Sequence, residues 1–135
     1  TNDNRYELIL KGVCRFRVKK ERKVINGFRS AEVSWKEYEV DYNPHSLKSL
    51  KKRKDFESLL KIFLSKISIN ADWEMVETTD DEDLVNMISM CCPFDVSEKQ
   101  ALLEAKTLDD RLEVLTSLMQ MGINENKMSI SGNPS

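Results

Sequence analysis

The run from Asp80 to Met121, DDEDLVNMISMCCPFDVSEKQALLEAKTLDDRLEVLTSLMQM, constrains the fold more than any other part of the chain. It spells three short helices, each with its own start signal. Thr79 followed three residues later by Glu82 reads as a capping box, a hydroxyl and a carboxylate that satisfy two orphan backbone donors. Asp80 to Asp83 crowd negative charge into a first turn, where the helix dipole favours it. Leu84, Val85, Ile88, Cys91 and Cys92 then recur at helical spacing. Pro93 stops that helix, because it lacks an amide hydrogen and restricts Cys92. Ser97 with Gln100 reads as a second capping box, with Leu102 and Leu103 as the apolar side of the helix it opens. Thr107 with Asp110 opens a third, down which Leu108, Leu112, Leu115, Leu118 and Met119 run on one face. Gly122 is the expected left-handed terminator.

Upstream, Phe56, Leu59, Leu60, Phe63, Leu64 and Ile67 fit the i, i+3, i+4, i+7, i+8, i+11 template of a long helix. Lys51, Lys52, Arg53 and Lys54 crowd its first turns. Cations there oppose the dipole, so either the helix begins near Asp55 or these charges have another use. Asn70 to Thr79 reads as a connection containing Trp73. The first third of the chain has strand character. Arg5 to Lys11 alternates weakly, and Val13 to Lys19 alternates cleanly, with Cys14, Phe16 and Val18 expected inward and Arg15, Arg17 and Lys19 outward. Asn26-Gly27 is the strongest turn signal, although Lys20 to Ile25 lengthens the connection. Phe28 to Tyr42 is a third strand region. Its phase slips near Lys36-Glu37, which predicts a bulge or a break.

Two sets of residues resemble one known family. Pro93, Phe94, Glu98, Lys99, Gln100, Leu102, Leu103 and Glu104, then Arg111, Leu112 and Leu115, match the helical pattern that ends the Lon N-terminal domain, also called the Lon substrate-binding domain. Gly12 and Arg15 within Gly12–Val18 are similar to that family's G-x-x-R-x-x-[IV] strand pair. The likeness runs from about Arg5 to Met121, and is greatest to small stand-alone bacterial proteins that carry this domain alone. It implies a PUA-like β fold, a cytoplasmic protein, and a non-catalytic module of the ATP-dependent protease La type that binds exposed polypeptide or a protease partner. The family domain normally opens with a further β-rich part, so the expectation is a fragment whose barrel is half complete. Unpaired strand edges recruit other chains, so a homodimer through strands is expected unless upstream residues cover those edges.

Composition limits the chemistry. A chain of 135 residues is one domain, in up to two lobes, and buries roughly two-thirds of its unfolded surface. No apolar run approaches the ~18 residues of a membrane span. No G-x-x-x-x-G-K-[ST] phosphate loop occurs, and there are only four glycines. Cys14, Cys91 and Cys92 lack framework spacing and read as free, buried thiols of a reducing compartment. A Cys–His pair would have to use His45, the single histidine. One histidine and no C-x-x-C leave too few soft ligands for a metal, so neither metal nor cofactor is expected. The carboxylates at Asp80–Asp83 lack calcium-loop spacing. Residues 1–67 hold 17 Lys/Arg against 9 Asp/Glu, and residues 68–135 hold 4 against 14, so the two parts attract each other or face different partners.

The expected fold is therefore α+β: a partial antiparallel PUA-like β lobe over residues 1–45, a four-helix lobe over residues 46–123, and a disordered tail over residues 124–135. No enzyme activity is expected. Phe28, Trp35, Tyr38 and Tyr42 are the candidate polypeptide-binding residues, with Tyr38 and Tyr42 on the face opposite Trp35. The alternative is an RNA-binding module that contacts phosphates through Lys51, Lys52, Arg53 and Lys54. Nucleic acid is the less favoured partner, because no aromatic is interleaved with those cations to stack bases.

Overall fold

The computed structural model describes residues 6–43 and 50–125 of the 135-residue chain. The chain is mixed α+β and divides into two compact units, Thr1–Pro44 and His45–Ser135.

The first unit is built on a hairpin of β1 (Arg17–Glu21) and β2 (Ala31–Ser34). The strands are antiparallel, with Val18 opposite Val33 and Lys20 opposite Glu32, so Lys19 is an extra, bulged residue. Asn26 (φ 54°) and Gly27 (φ 80°) both take the left-handed conformation that a two-residue hairpin turn demands. The turn is closed by a bridge between Ile25 and Phe28, and Arg22 N–H donates to the Ser30 carbonyl at 2.9 Å. The connection that the sequence makes look long is thus paired backbone almost to its tip. The phase slip near Lys36-Glu37 is a change of element: β2 ends at Ser34, and a 3-10 helix spans Lys36–Tyr42.

Four expectations for this unit are corrected. Residues 6–16 form no regular strand, because a strand exists only through a paired neighbour and these residues have none among the described residues. The strand expected from Val13 begins at Arg17, and the region expected to be strand from Phe28 to Tyr42 keeps only four strand residues. Among the described residues the sheet has two strands, not half a barrel. The sidedness is also reversed. Arg15, expected outward, lies with its guanidinium 4.5 Å from the centroid of the Tyr38 ring and donates to Asp41 at 2.8 and 2.9 Å. Phe16 and Val18, expected inward, are exposed.

The second unit has five helices: α1 (Leu50–Lys66), α2 (Trp73–Thr78), α3 (Asp81–Cys91), α4 (Val96–Glu104) and α5 (Leu108–Asn124). The extra one, α2, lies in the expected connection, where the Asp72 carboxylate accepts from the Met75 amide at 3.1 Å and caps it. The template residues Phe56, Leu60, Phe63, Leu64 and Ile67 of α1 and its exit are all buried, with Leu59 partly so. They pack with Val76, Leu84, Val85, Ile88, Leu102, Leu112, Leu115 and Met119 in one core. The long helices α1 and α5 lie against each other, and α5 also packs on α3 and α4.

Helix ends test the start and stop signals. The Thr107–Asp110 capping box is present with both bonds at 3.1 Å. The box expected at Ser97–Gln100 forms two residues earlier, as Asp95–Glu98, and Ser97 donates to Asp95 instead. The box expected at Thr79–Glu82 is absent: α3 is capped by Asp80 without a side-chain bond, while the Thr79 hydroxyl turns back to the Met75 carbonyl at 2.6 Å. Thr79 also ends α2, and that role wins. Gly122 does not stop α5; it is buried within the helix, which continues to Asn124 because Ile123 still packs on the core. The left-handed terminator lies instead after α1, at Ser68 (φ 57°), where Ile69 N–H donates to the Leu64 carbonyl at 2.9 Å. The tail expected over residues 124–135 lies outside the described residues, apart from Asn124 and Glu125.

Candidate functional site

The motif residues of the helical unit hold helices together. Phe94 is buried and stacks on Phe63 with ring centroids 6.0 Å apart, carrying the α3–α4 corner onto α1. Glu98 completes the α4 capping box, and Lys99 Nζ donates to the Met90 carbonyl at 3.1 Å, closing the last turn of α3. Arg111, 8% exposed, donates to the Leu102 carbonyl at 3.2 Å and to Asn86 Oδ1 at 2.7 Å, so one guanidinium ties α5 to α4 and α3. Leu102, Leu112 and Leu115 are core, while Leu103 is exposed. These residues build a scaffold of helix-to-helix contacts.

The basic run at the start of α1 also works internally. Lys52 Nζ lies 2.8 Å from Asp109 Oδ1 and 3.8 Å from Glu113. The bond to Asp109 raises the Lys52 pKa, against a smaller opposing effect of desolvation. Arg53 pairs with Glu57 at 2.5 Å and Asp81 at 2.8 Å, and donates to the carbonyls of Val76 and Thr79 at 2.6 and 3.1 Å. Burial opposes its charge, yet the bonds to Glu57 and Asp81 outweigh that and raise its pKa. The helix therefore does begin ahead of Asp55, at Leu50, and its cations pair with the acidic α3 and α5. Two of the four cations of the run Lys51–Lys54, Lys52 and Arg53, are thus engaged in ion pairs within the helical unit.

The three cysteines are free, but not all are buried. Cys92 is 3% exposed, and burial, with Cys91 beside it, pushes its thiol up to about 11, so it is protonated at neutral pH. Cys91 is exposed and Cys14 half-buried, which corrects the expectation of buried thiols. His45 lies outside the described residues. Among the described residues no cluster of three His, Cys, Asp or Glu could hold a metal ion. Nor is any described helix long and apolar enough to cross a membrane.

The remaining candidates lie in the β unit. Phe28 (60%), Trp35 (54%) and Tyr42 (58%) are exposed, whereas Tyr38 is 4% exposed and roofed by Arg15, so Tyr38 supports this surface and does not line it. The Tyr42 pKa is raised chiefly by neighbouring Cys14. Register adds residues that aromatic content alone misses. Val18 pairs with Val33 across the ladder, and Phe16 and Trp35 continue the same alternation one step beyond each strand. Phe16, Val18, Val33 and Trp35 thus share one face, of which only Val33 is half-buried. The other face carries Arg15 and Arg17, bound to Asp41 and Glu37 of the 3-10 helix and its end. The alternation held the signal for Phe16 and Val18, but alternation cannot say which face is covered.

No curated protein and no solved structure matches the chain. The family model of the ATP-dependent protease La (LON) substrate-binding domain matches residues 1–121. That match spans the β unit, the clamped helices and the motif residues whose contacts are described above. The chain belongs to the ATP-dependent protease La (LON) substrate-binding domain family, and is a substrate-recognition module of it.

Proposed function

We propose that this chain captures exposed segments of unfolded polypeptide and presents them for ATP-dependent proteolysis by a partner protease, without catalysing a reaction itself. The observation that carries the reading is the open apolar face Phe16, Val18, Val33 and Trp35, with Phe28 and Tyr42 exposed on the same unit. Water disfavours such a surface, and a segment that buries apolar side chains against it relieves the cost. Among the described residues each strand of the sheet has an unpaired outer edge, so an extended segment can add its backbone there while its side chains meet the face. The same edges offer a route to a homodimer, strand against strand. A PUA-like origin for the β unit and a cytoplasmic setting fit this role, and free thiols accord with a reducing compartment. RNA binding through Lys51, Lys52, Arg53 and Lys54 has less support, since Lys52 and Arg53 are held in ion pairs.

The test is binding of a reduced, carbamidomethylated polypeptide to the whole chain, read by fluorescence anisotropy. Replacing Phe16 and Trp35 together by Ala should weaken binding about tenfold or more, the scale of losing two interface anchors. No binding by the intact chain, or undiminished binding by the double variant, refutes the proposal.

A further inference from the structure

We infer that the hairpin selects acidic segments: its preferred ligands carry carboxylates beside their apolar side chains. This rests on the polypeptide-binding reading above and names the class of substrate. Between Phe16 and Ser30 stand six Lys/Arg and one Asp/Glu, interleaved with Phe16, Val18, Val24, Ile25 and Phe28, all exposed. The arginines of this stretch already have carboxylates: Arg17 lies 3.4 Å from Glu37, Arg22 lies 3.7 Å from Glu32, and Arg29 pairs with Glu21. Lys19, Lys20 and Lys23 make no ion pair among the described residues. Lys19 is the bulged residue of β1, which breaks the ladder at that point. Lys20 stands opposite Glu32, a carboxylate that Arg22 already shares. Lys23 precedes Val24, Ile25 and the turn.

Three ammonium groups without an ion pair among the described residues therefore stand on the same hairpin as these apolar side chains: Lys20, opposite Glu32, on the face away from Val33, Lys19 at the bulge beside Val18, and Lys23 next to Val24. An apolar ligand without charge leaves them only hydrated, a basic one meets repulsion, and an acidic one supplies the missing partners. Complementary charge favours encounter and sets the preferred partner more than it sets total affinity. The effect is to narrow an otherwise permissive apolar site to segments with Asp or Glu next to apolar residues.

The experiment uses the whole chain and three synthetic peptides of identical apolar content, with Glu, Gln or Lys at the flanking positions. At low salt the Glu peptide should bind about tenfold tighter than the Gln peptide, the range open to three exposed ion pairs. The gap should close as salt shortens the screening length below about 8 Å. A K19Q/K20Q/K23Q variant should erase the gap and keep the affinity for the Gln peptide. All three sites are exposed, so far-UV circular dichroism should be unchanged. Equal affinity for Glu and Gln peptides, or a gap that survives the triple variant, overturns the inference while leaving polypeptide binding intact. Failure of all three peptides to bind overturns the underlying reading as well. An oligoribonucleotide that displaces the Glu peptide at lower concentration than the peptide itself overturns it in favour of a nucleic-acid surface.

Discussion

Replacing Arg53 by Met tests whether one guanidinium holds the first three helices of the second unit together. The side chain is 11% exposed and reaches four acceptors on three elements: Glu57 of α1, the Val76 and Thr79 carbonyls at the end of α2, and Asp81 at the start of α3. Methionine keeps much of the volume and loses every donor. A hydrogen bond involving a charged group contributes about 1.5–3 kcal/mol when its partner is left dry. Here Glu57 and Asp81 are 25% and 23% exposed, so water takes over part of their bonding. The two carbonyls are the costlier loss, and the sum is about 3 kcal/mol. On a unit of this size that lowers Tm by roughly 12–24 °C. Urea melts followed by far-UV circular dichroism give the free energy directly. Arg53→Lys should recover less than half, because an ammonium is a point donor that cannot span carboxylate and carbonyls together. Lys54→Ala, one residue on and exposed, should stay within about 0.5 kcal/mol. An unchanged midpoint for Arg53→Met would refute the clamp, and full recovery by Lys would show that charge alone matters.

Ser68→Gly should stabilise the second unit by about 0.5–1 kcal/mol, since Ser68 holds a left-handed φ of 57° that glycine takes without steric cost; a lower midpoint in the urea melt would contradict this. Thr107→Ala removes one half of the α5 capping box and should cost about 1 kcal/mol in the same assay. The Cys92 thiol, raised to about 11 from 9.0, binds its proton more tightly in the folded state, so its contribution is complete below pH 9 and is lost as pH rises towards 11. Melts at pH 8 and 10.5 should therefore show a loss of up to about 2 kcal/mol that Cys92→Ala lacks. In hydrogen exchange, amides of α1 and α5 should open only with global unfolding, while β1 and β2 exchange faster by local opening; equal protection in both would show that the apolar face is covered.

The helical unit was legible because its signals are local. The Phe56–Ile67 periodicity identifies the buried face of α1 without outside information, and Thr107 caps α5 through a residue three positions away. Signals that served two elements misled. Thr79 lies between α2 and α3, and as the end of one it cannot cap the other. Ser97 has the chemistry of a cap, but Asp95 reaches the same turn first. Gly122 is a poor helix former, yet α5 runs through it because Ile123 beyond it still packs on the core. Nothing in the Lys51–Lys54 run announces Asp109 or Asp81, 57 and 28 residues further along, so the use of those charges was illegible.

The β unit was less legible for a different reason, and that reason bears on function. Alternation assigns residues to two faces, yet only a covering layer makes one of them the inside. In this unit the covering element is a single 3-10 helix, and it lies over the side that carries Arg15 and Arg17. Tyr38, a residue of that helix itself, is the one large apolar residue of the unit that is buried among the described residues, and it lies under Arg15. A burial so small contributes a few kcal/mol at most, far short of the entropy of ordering the hairpin. The turn chemistry of Asn26-Gly27 and the Arg15–Asp41 bonds fix the hairpin's shape without using its apolar face. A surface that local chemistry shapes, and that the core among the described residues leaves unused, is the one on which the proposed polypeptide binding rests. In the helical unit, by contrast, Lys99 and Arg111 of the motif are taken up in clamping one helix to the next.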